Sequence, residues 1–199
     1  MTQEKKQTKK TVPPASDPVS SAERVKFLAR MRSSDAAERY AGWQSAGPMG
    51  ADVINVLGEL ASSDDKGVAL SATGAMEKIA HFSGRPGAQL EAQKVSSELL
   101  KIANSDRPRM VRSNALQLVG YIGDAKSVGG LARLMKDKDL REDARLALER
   151  IPGSLSESTL KALAKAADEN KEPFAENVKQ SIYNRALQPK TVGMKVVGR

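Results

Sequence analysis

The sequence predicts an all-α protein, an α-solenoid of stacked antiparallel helix pairs, on three observations. An apolar template recurs three times with offsets that fall on one helix face. Each copy is followed by a Gly- or Pro-containing turn and a second apolar stripe. The 199-residue chain is 40% hydrophobic but only 4% aromatic, so its core must be built from Ala, Leu, Val, Ile and Met. Such side chains suit closely approaching helices and suit sheets poorly, because strands favour aromatic and β-branched residues.

Ordered structure is expected to begin at Ser20. Residues 1–19 are rich in Lys, Gln, Thr and Pro and read as a disordered basic arm. Ser20 and Glu23 form a capping-box pattern, in which hydroxyl and carboxylate satisfy the free amides of a helix start. Val25, Leu28, Ala29 and Arg32 follow helical spacing, with Phe27 and Met31 alongside. A weaker pair is predicted next. Its first helix carries Ala36, Tyr40, Trp43 and Gln44, its turn is 47–50, and its second helix carries Val53, Leu57, Leu60 and Ala61.

The template then appears at i, i+4, i+7, i+8 and i+11. Its copies are Val68, Ala72, Ala75, Met76 and Ile79; Val111, Ala115, Leu118, Val119 and Ile122; and Leu140, Ala144, Ala147, Leu148 and Ile151. The partner stripes are Val95, Leu99, Ile102 and Ala103; Val128, Leu131, Ala132 and Met135; and Leu160, Leu163, Ala164 and Ala167. The intervening turns are 83–87, Gly123-Asp124 and 152–154. The anchors Val68, Val111 and Leu140 lie 43 and 29 residues apart, spacings that straddle a solenoid period. A last helix runs from Pro173 through Phe174, Val178, Ile182 and Ala186. The repeat domain is therefore placed at 20–187, with a basic tail at 188–199 that either packs on the last helix, adds as a strand to a partner, or stays mobile.

The segment 106–124 resembles the PBS-lyase-type HEAT-like repeat. Asp106, Val111, Arg112, Ala115, Gly120 and Gly123 carry the likeness, and Asp139, Leu140, Arg141 and Ala144 carry it in part. The Arg position is Ala69 in the preceding repeat and Glu38 in the first. The resemblance spans about 34–187 and implies about four helix pairs plus terminal helices. It also implies a ladder of ion pairs between neighbouring turns, Arg112 with Asp106 or Asp139 and Arg141 with a nearby carboxylate. The family includes scaffolds, adaptors and bilin lyase subunits, so fold alone does not assign an activity.

Charge and chemistry narrow the function classes. The formal charge is +8. Residues 1–22 contribute +2 and residues 188–199 contribute +3, leaving +3 for the long body between them. There is no cysteine, hence no disulfide or thiolate chemistry. The one histidine, His81, belongs to no His-x-x-x-His or Glu-x-x-His pair, so neither a metal site nor a cofactor is expected. No apolar run reaches the length needed to span a bilayer, and residues 1–10 do not resemble a secretory signal; the expected location is the cytoplasm.

The expected function is a non-catalytic protein-binding scaffold using the concave face of the stack. The alternatives are a nucleic-acid or ribonucleoprotein binder using the basic tails and an Arg-rich edge, and an accessory subunit of a bilin-lyase-like or degenerate glycosylase-like enzyme. Candidate binding residues are Arg85, Arg107, Arg109, Arg112 and Arg141. Three arginines crowd one helix start, where positive charge opposes the helix dipole and so is not explained by local stability. Tyr40 and Trp43 are candidate partner contacts. The expected partner is another protein, with nucleic acid as the alternative and no membrane; the sequence assigns no oligomeric state.

Overall fold

The computed structural model describes residues 19–187. The arm before residue 19 and the tail from 188 lie outside these residues, as do the expectations placed on them. Among the described residues all regular structure is helical: α1 Ser21–Met31, α2 Ala36–Gln44, α3 Ile54–Leu60, α4 Lys66–Ser83, α5 Gln89–Ala103, α6 Arg109–Ile122, α7 Ala125–Leu134, α8 Arg141–Arg150, α9 Ser154–Glu169 and α10 Phe174–Leu187. Two short 3-10 turns, Gly47–Met49 and Ala51–Val53, join α2 to α3.

The helices form two layers. In the first, α2 packs on α4, α4 on α6, α6 on α8 and α8 on α10. In the second, α3 packs on α5, α5 on α7 and α7 on α9. Across the layers α3 packs on α4, α4 on α5, α5 on α6, α7 on α8, α8 on α9 and α9 on α10, and α1 covers the open side of α2. The fold is thus an all-α, solenoid-like stack. Turns from first to second layer lie along one edge, and turns back lie along the other.

All fifteen positions of the apolar template are buried. Leu140 and Ile151 do this from just outside α8, as the residues flanking its two ends. The Ala positions let the layers approach closely. At Gly120 the approach is closer still, since a Cβ there would lie 3.0 Å from the Cα of Ala147. One core cluster runs from Phe27 in α1 to Val178 in α10.

Capping follows the sequence signals. The hydroxyl of Ser20 accepts from the N–H of Glu23, and the Glu23 carboxylate accepts from the N–H of Ser20 at 2.8 Å. Asp35, Asp65 and Asp124 accept from the first amides of α2, α4 and α7. Gly153 opens α9 with φ at +103°, a left-handed conformation that favours glycine.

The first repeat departs from its expected register. In α1 the buried residues are Phe27 and Met31, while Val25 is 68% exposed. In α2, Ala36, Tyr40 and Gln44 are exposed and only Trp43 of the predicted stripe packs against the core. The buried residue of α2 is Gly42, whose missing side chain admits Met31: a Cβ would lie 2.9 Å from its sulfur. A template that counts apolar side chains cannot see a glycine used as a socket.

At the far end the α8–α10 contact is polar as well as apolar. Glu149, 9% exposed, accepts from Ser181 at 2.7 Å, Asn184 at 3.1 Å and Arg145 at 3.3 Å. Arg145 also binds Glu142 at 2.7 Å. Burial pushes the Glu142 carboxyl up, but hydrogen bonds from Arg145 and Asn177 outweigh it and hold the group below its ordinary value. Arg185 of α10 donates to the carbonyls of Leu148, Glu149, Ile151 and Gly153. It thereby satisfies the acceptors left free at the end of α8.

Candidate binding surfaces

The edge that carries the turns into the first layer holds four of the five candidate arginines. Arg112 donates to the carbonyl of Ala103 at 3.0 Å and to Asp137 at 2.8 Å. Its partner is therefore Asp137, not Asp106 or Asp139. The other oxygen of Asp137 accepts the N–H of Asp139 at 2.9 Å, which aims the carboxylate at α6. Burial raises the Asp137 carboxyl, yet this amide and the Arg112 guanidinium outweigh it and hold it below 3.8. Arg109 donates to the carbonyl of Asp139 at 3.0 Å and to Asp143 at 3.4 Å. Arg141 pairs with Glu172 at 3.3 Å and lies 4.5 Å from the centre of the Phe174 ring. Arg107 reaches back to Asn55, 3.0 Å from its side-chain oxygen.

In the first repeat no arginine ion pair joins the α1–α2 turn to the next one among the described residues. Arg39, beside Glu38, donates to the carbonyls of Ser33 and Ser34 at 2.8 and 2.9 Å. Its charge, after the N–H groups of Val68 and Gly67, helps hold the Asp65 carboxyl low. Arg85 does not belong to this edge. It lies at the opposite end of α5, a helix of 15 residues that rises about 22 Å. There it makes two 2.8 Å contacts to Glu91, donates to the carbonyl of Phe82 and stacks on the Phe82 ring at 4.0 Å. The five arginines therefore do not converge, because successive turns alternate between edges. Their charge is largely directed into the stack's own carboxylates and carbonyls.

The outward face of the first layer is aromatic and apolar in places. Trp43 packs against α4, where Gly74 makes room: a Cβ at 74 would lie 2.9 Å from the indole nitrogen. Lys78 covers the ring at 3.8 Å and donates to Gln44 at 3.2 Å. Tyr40, 59% exposed, meets Trp43 with ring centres 5.5 Å apart. Leu70 of α4, Met110 and Tyr121 of α6 and Tyr183 of α10 are also exposed. Tyr121 faces Arg150 of α8 across the helix boundary. His81 is exposed in the last turn of α4.

The outward face of the second layer differs in kind. Helices α3, α5, α7 and α9 contain no aromatic residue. Lys94 and Lys101 of α5, Lys126 and Arg133 of α7, and the following Lys136 are exposed. The sequence reading passed over these cations, although residues 125–136 show a legible signal: three cations and no carboxylate. Among the described residues no cluster of His, Asp and Glu is arranged to hold a metal ion, and no helix is long and apolar enough to cross a membrane. No protein-family model matches the chain, and no curated protein matches it.

Proposed function

We propose that the protein is a non-catalytic binding scaffold of the HEAT-like kind, and that a protein partner docks on the outward face of its first layer. The observation carrying this reading is the run of exposed Tyr40, Leu70, Met110 and Tyr121 on helices whose opposite faces are already packed into the core. A helix face that meets only water gains nothing from such side chains, whereas aromatic and Met side chains are enriched in protein interfaces. Trp43 adds a partly exposed anchor fixed in place by Gly74 and Lys78. These anchors support the first layer over the second, where the large exposed apolar side chains among the described residues are Leu90 and Leu155, with no aromatic residue beside them. The alternation of layers and the Arg112–Asp137 and Arg141–Glu172 rungs support the HEAT-like reading.

A photo-crosslinking residue at position 40 or 110, introduced into the full chain in its native cells, tests the reading. The expected result is one protein crosslinked from both positions. That protein is lost when Tyr40, Leu70 and Met110 are together replaced by Ser, with helical content unchanged. No crosslink from either position, or undiminished capture by the triple variant, would overturn it.

A further inference from the structure

The geometry points to a second, independent surface: the outward face of α5 and α7 binds the phosphate backbone of a double-stranded nucleic acid. The two helices run side by side in register. The hydroxyls of Ser96 and Ser127 lie 3.3 Å apart, Gln93 accepts from Lys126 at 2.8 Å, and a Cβ on Gly130 would lie 3.2 Å from Leu100. Lys94 and Lys101 on one helix, and Lys126 and Arg133 on the other, are each separated by seven residues, about 10 Å along the axis. With helix axes about 8–10 Å apart, these four cations frame a small plane, extended by Lys136. Exposed Ser97 and Gly129 occupy its middle.

Two features make this more than a solvated face. Among the described residues, Lys94, Lys126, Arg133 and Lys136 take part in no ion pair; Lys101 alone is paired, with Glu98 at 2.6 Å. The arginines of the neighbouring edge, by contrast, are held by carboxylates. Gly129 is the second feature. It sits inside α7, where glycine weakens a helix, yet nothing lies within 4 Å of where its Cβ would be. Packing does not require it. A glycine there lets a ligand backbone come close to the helix between Lys126 and Arg133.

The chemistry favours a duplex over the other polyanions. Single-stranded nucleic acids are held by bases stacked on aromatic side chains, and the second-layer helices have none. A protein interface needs buried apolar anchors; the framed plane offers Ser97, Gly129 and charge, and the one large exposed apolar side chain on the same stripe of α5, Leu90, lies a turn before Lys94, outside the frame. Regularly spaced phosphates need only cations and hydroxyl donors. Duplex DNA and duplex RNA share that chemistry.

The test uses the full chain, tails included, and labelled 20-base-pair duplexes of mixed sequence, one of DNA and one of RNA, titrated over a range of salt. At least one duplex should bind, with affinity falling steeply as salt rises. Replacing Lys94, Lys126, Arg133 and Lys136 by Gln should weaken that binding by at least about tenfold and make the logarithmic salt slope shallower by about three. Gly129→Ala should melt higher than the parent protein and bind the duplex more weakly, a pairing that loss of folding cannot produce. The stronger of the two arms identifies the nucleic acid. The proposal is overturned if neither duplex binds at low salt, if the four-fold variant binds with unchanged slope so that the tails carry the effect, or if poly-glutamate of equal charge competes as well as the duplex, which would indicate an acidic protein. None of these outcomes bears on crosslinking from the first layer.

Discussion

Gly120 and Gly129 stand inside neighbouring helices and look alike in the sequence, but they are there for opposite reasons. Gly120 faces the backbone of Ala147, and Gly129 faces open space. Glycine costs a helix interior about 1 kcal/mol relative to alanine, a cost that closer packing offsets at 120 and that no intramolecular contact offsets at 129. Gly129→Ala is therefore expected to stabilise the protein by about 0.5–1 kcal/mol, measured by denaturant unfolding. A loss of stability would show that the position is not open. The same contrast explains why the arginines misled a reading by type alone. The crowding of Arg107, Arg109 and Arg112 at one helix start is visible in the sequence, but their destinations, Asn55, Asp143 and Asp137, lie 52, 34 and 25 residues away.

At the scale of single helices, legibility tracked periodicity. Helices α4, α6 and α8 have cores dense in Ala and larger aliphatic side chains, and their template is buried at every position. Helices α1 and α2 lack that dense spacing; in α2 the intimate contact is made by Gly42, while Tyr40, on the expected stripe, points to water. Ala115 is fully buried at the point where α6 must stay thin, so Ala115→Leu should lower stability by about 1–3 kcal/mol through overpacking. An unchanged melting temperature would contradict that register. The turns between helices carry the acid sensitivity. Asp137 titrates below its ordinary 3.8 in the folded protein, so its contribution is present above the unfolded pKa and disappears as pH falls through the lower folded value. Asp65, Glu23 and Glu142 are shifted in the same direction. Unfolding curves taken from pH 6 down to about pH 2 should therefore show falling stability below pH 4–5. Asp137→Asn should be less stable than the parent at neutral pH and should lose less on acidification. Parallel curves for the two proteins would remove Asp137 from the account.

At the scale of the stack, packing among the described residues runs mainly between helices adjacent in the chain or adjacent in a layer, with a small α1–α4 contact besides. In such a stack stability is close to a sum of units and their interfaces, and an end unit can loosen without the middle. The last interface depends on Arg185, whose four carbonyl partners tie α10 to the end of α8. Burial lowers the pKa of this guanidinium, with Glu157 and Glu149 opposing, and removing it would leave partly buried acceptors without donors. Arg185→Ala is expected to cost about 2 kcal/mol or more and to show its loss locally: amide exchange in α10 should accelerate by tenfold or more, while α4, α5 and α6 keep their protection. Uniform acceleration throughout would mean that the stack unfolds as one unit.

That neighbour-only packing also bears on how such a chain can change length. A barrel or a closed bundle fixes its number of elements, because the last must meet the first. Here α1 and α10 each cover one open end, and each helix between them packs on its neighbours in its own layer. Duplicating or deleting an internal pair would leave every remaining helix with a neighbour in its own layer. The number of rungs is not written in the geometry of the core, so it is free to follow the span of whatever the two faces hold.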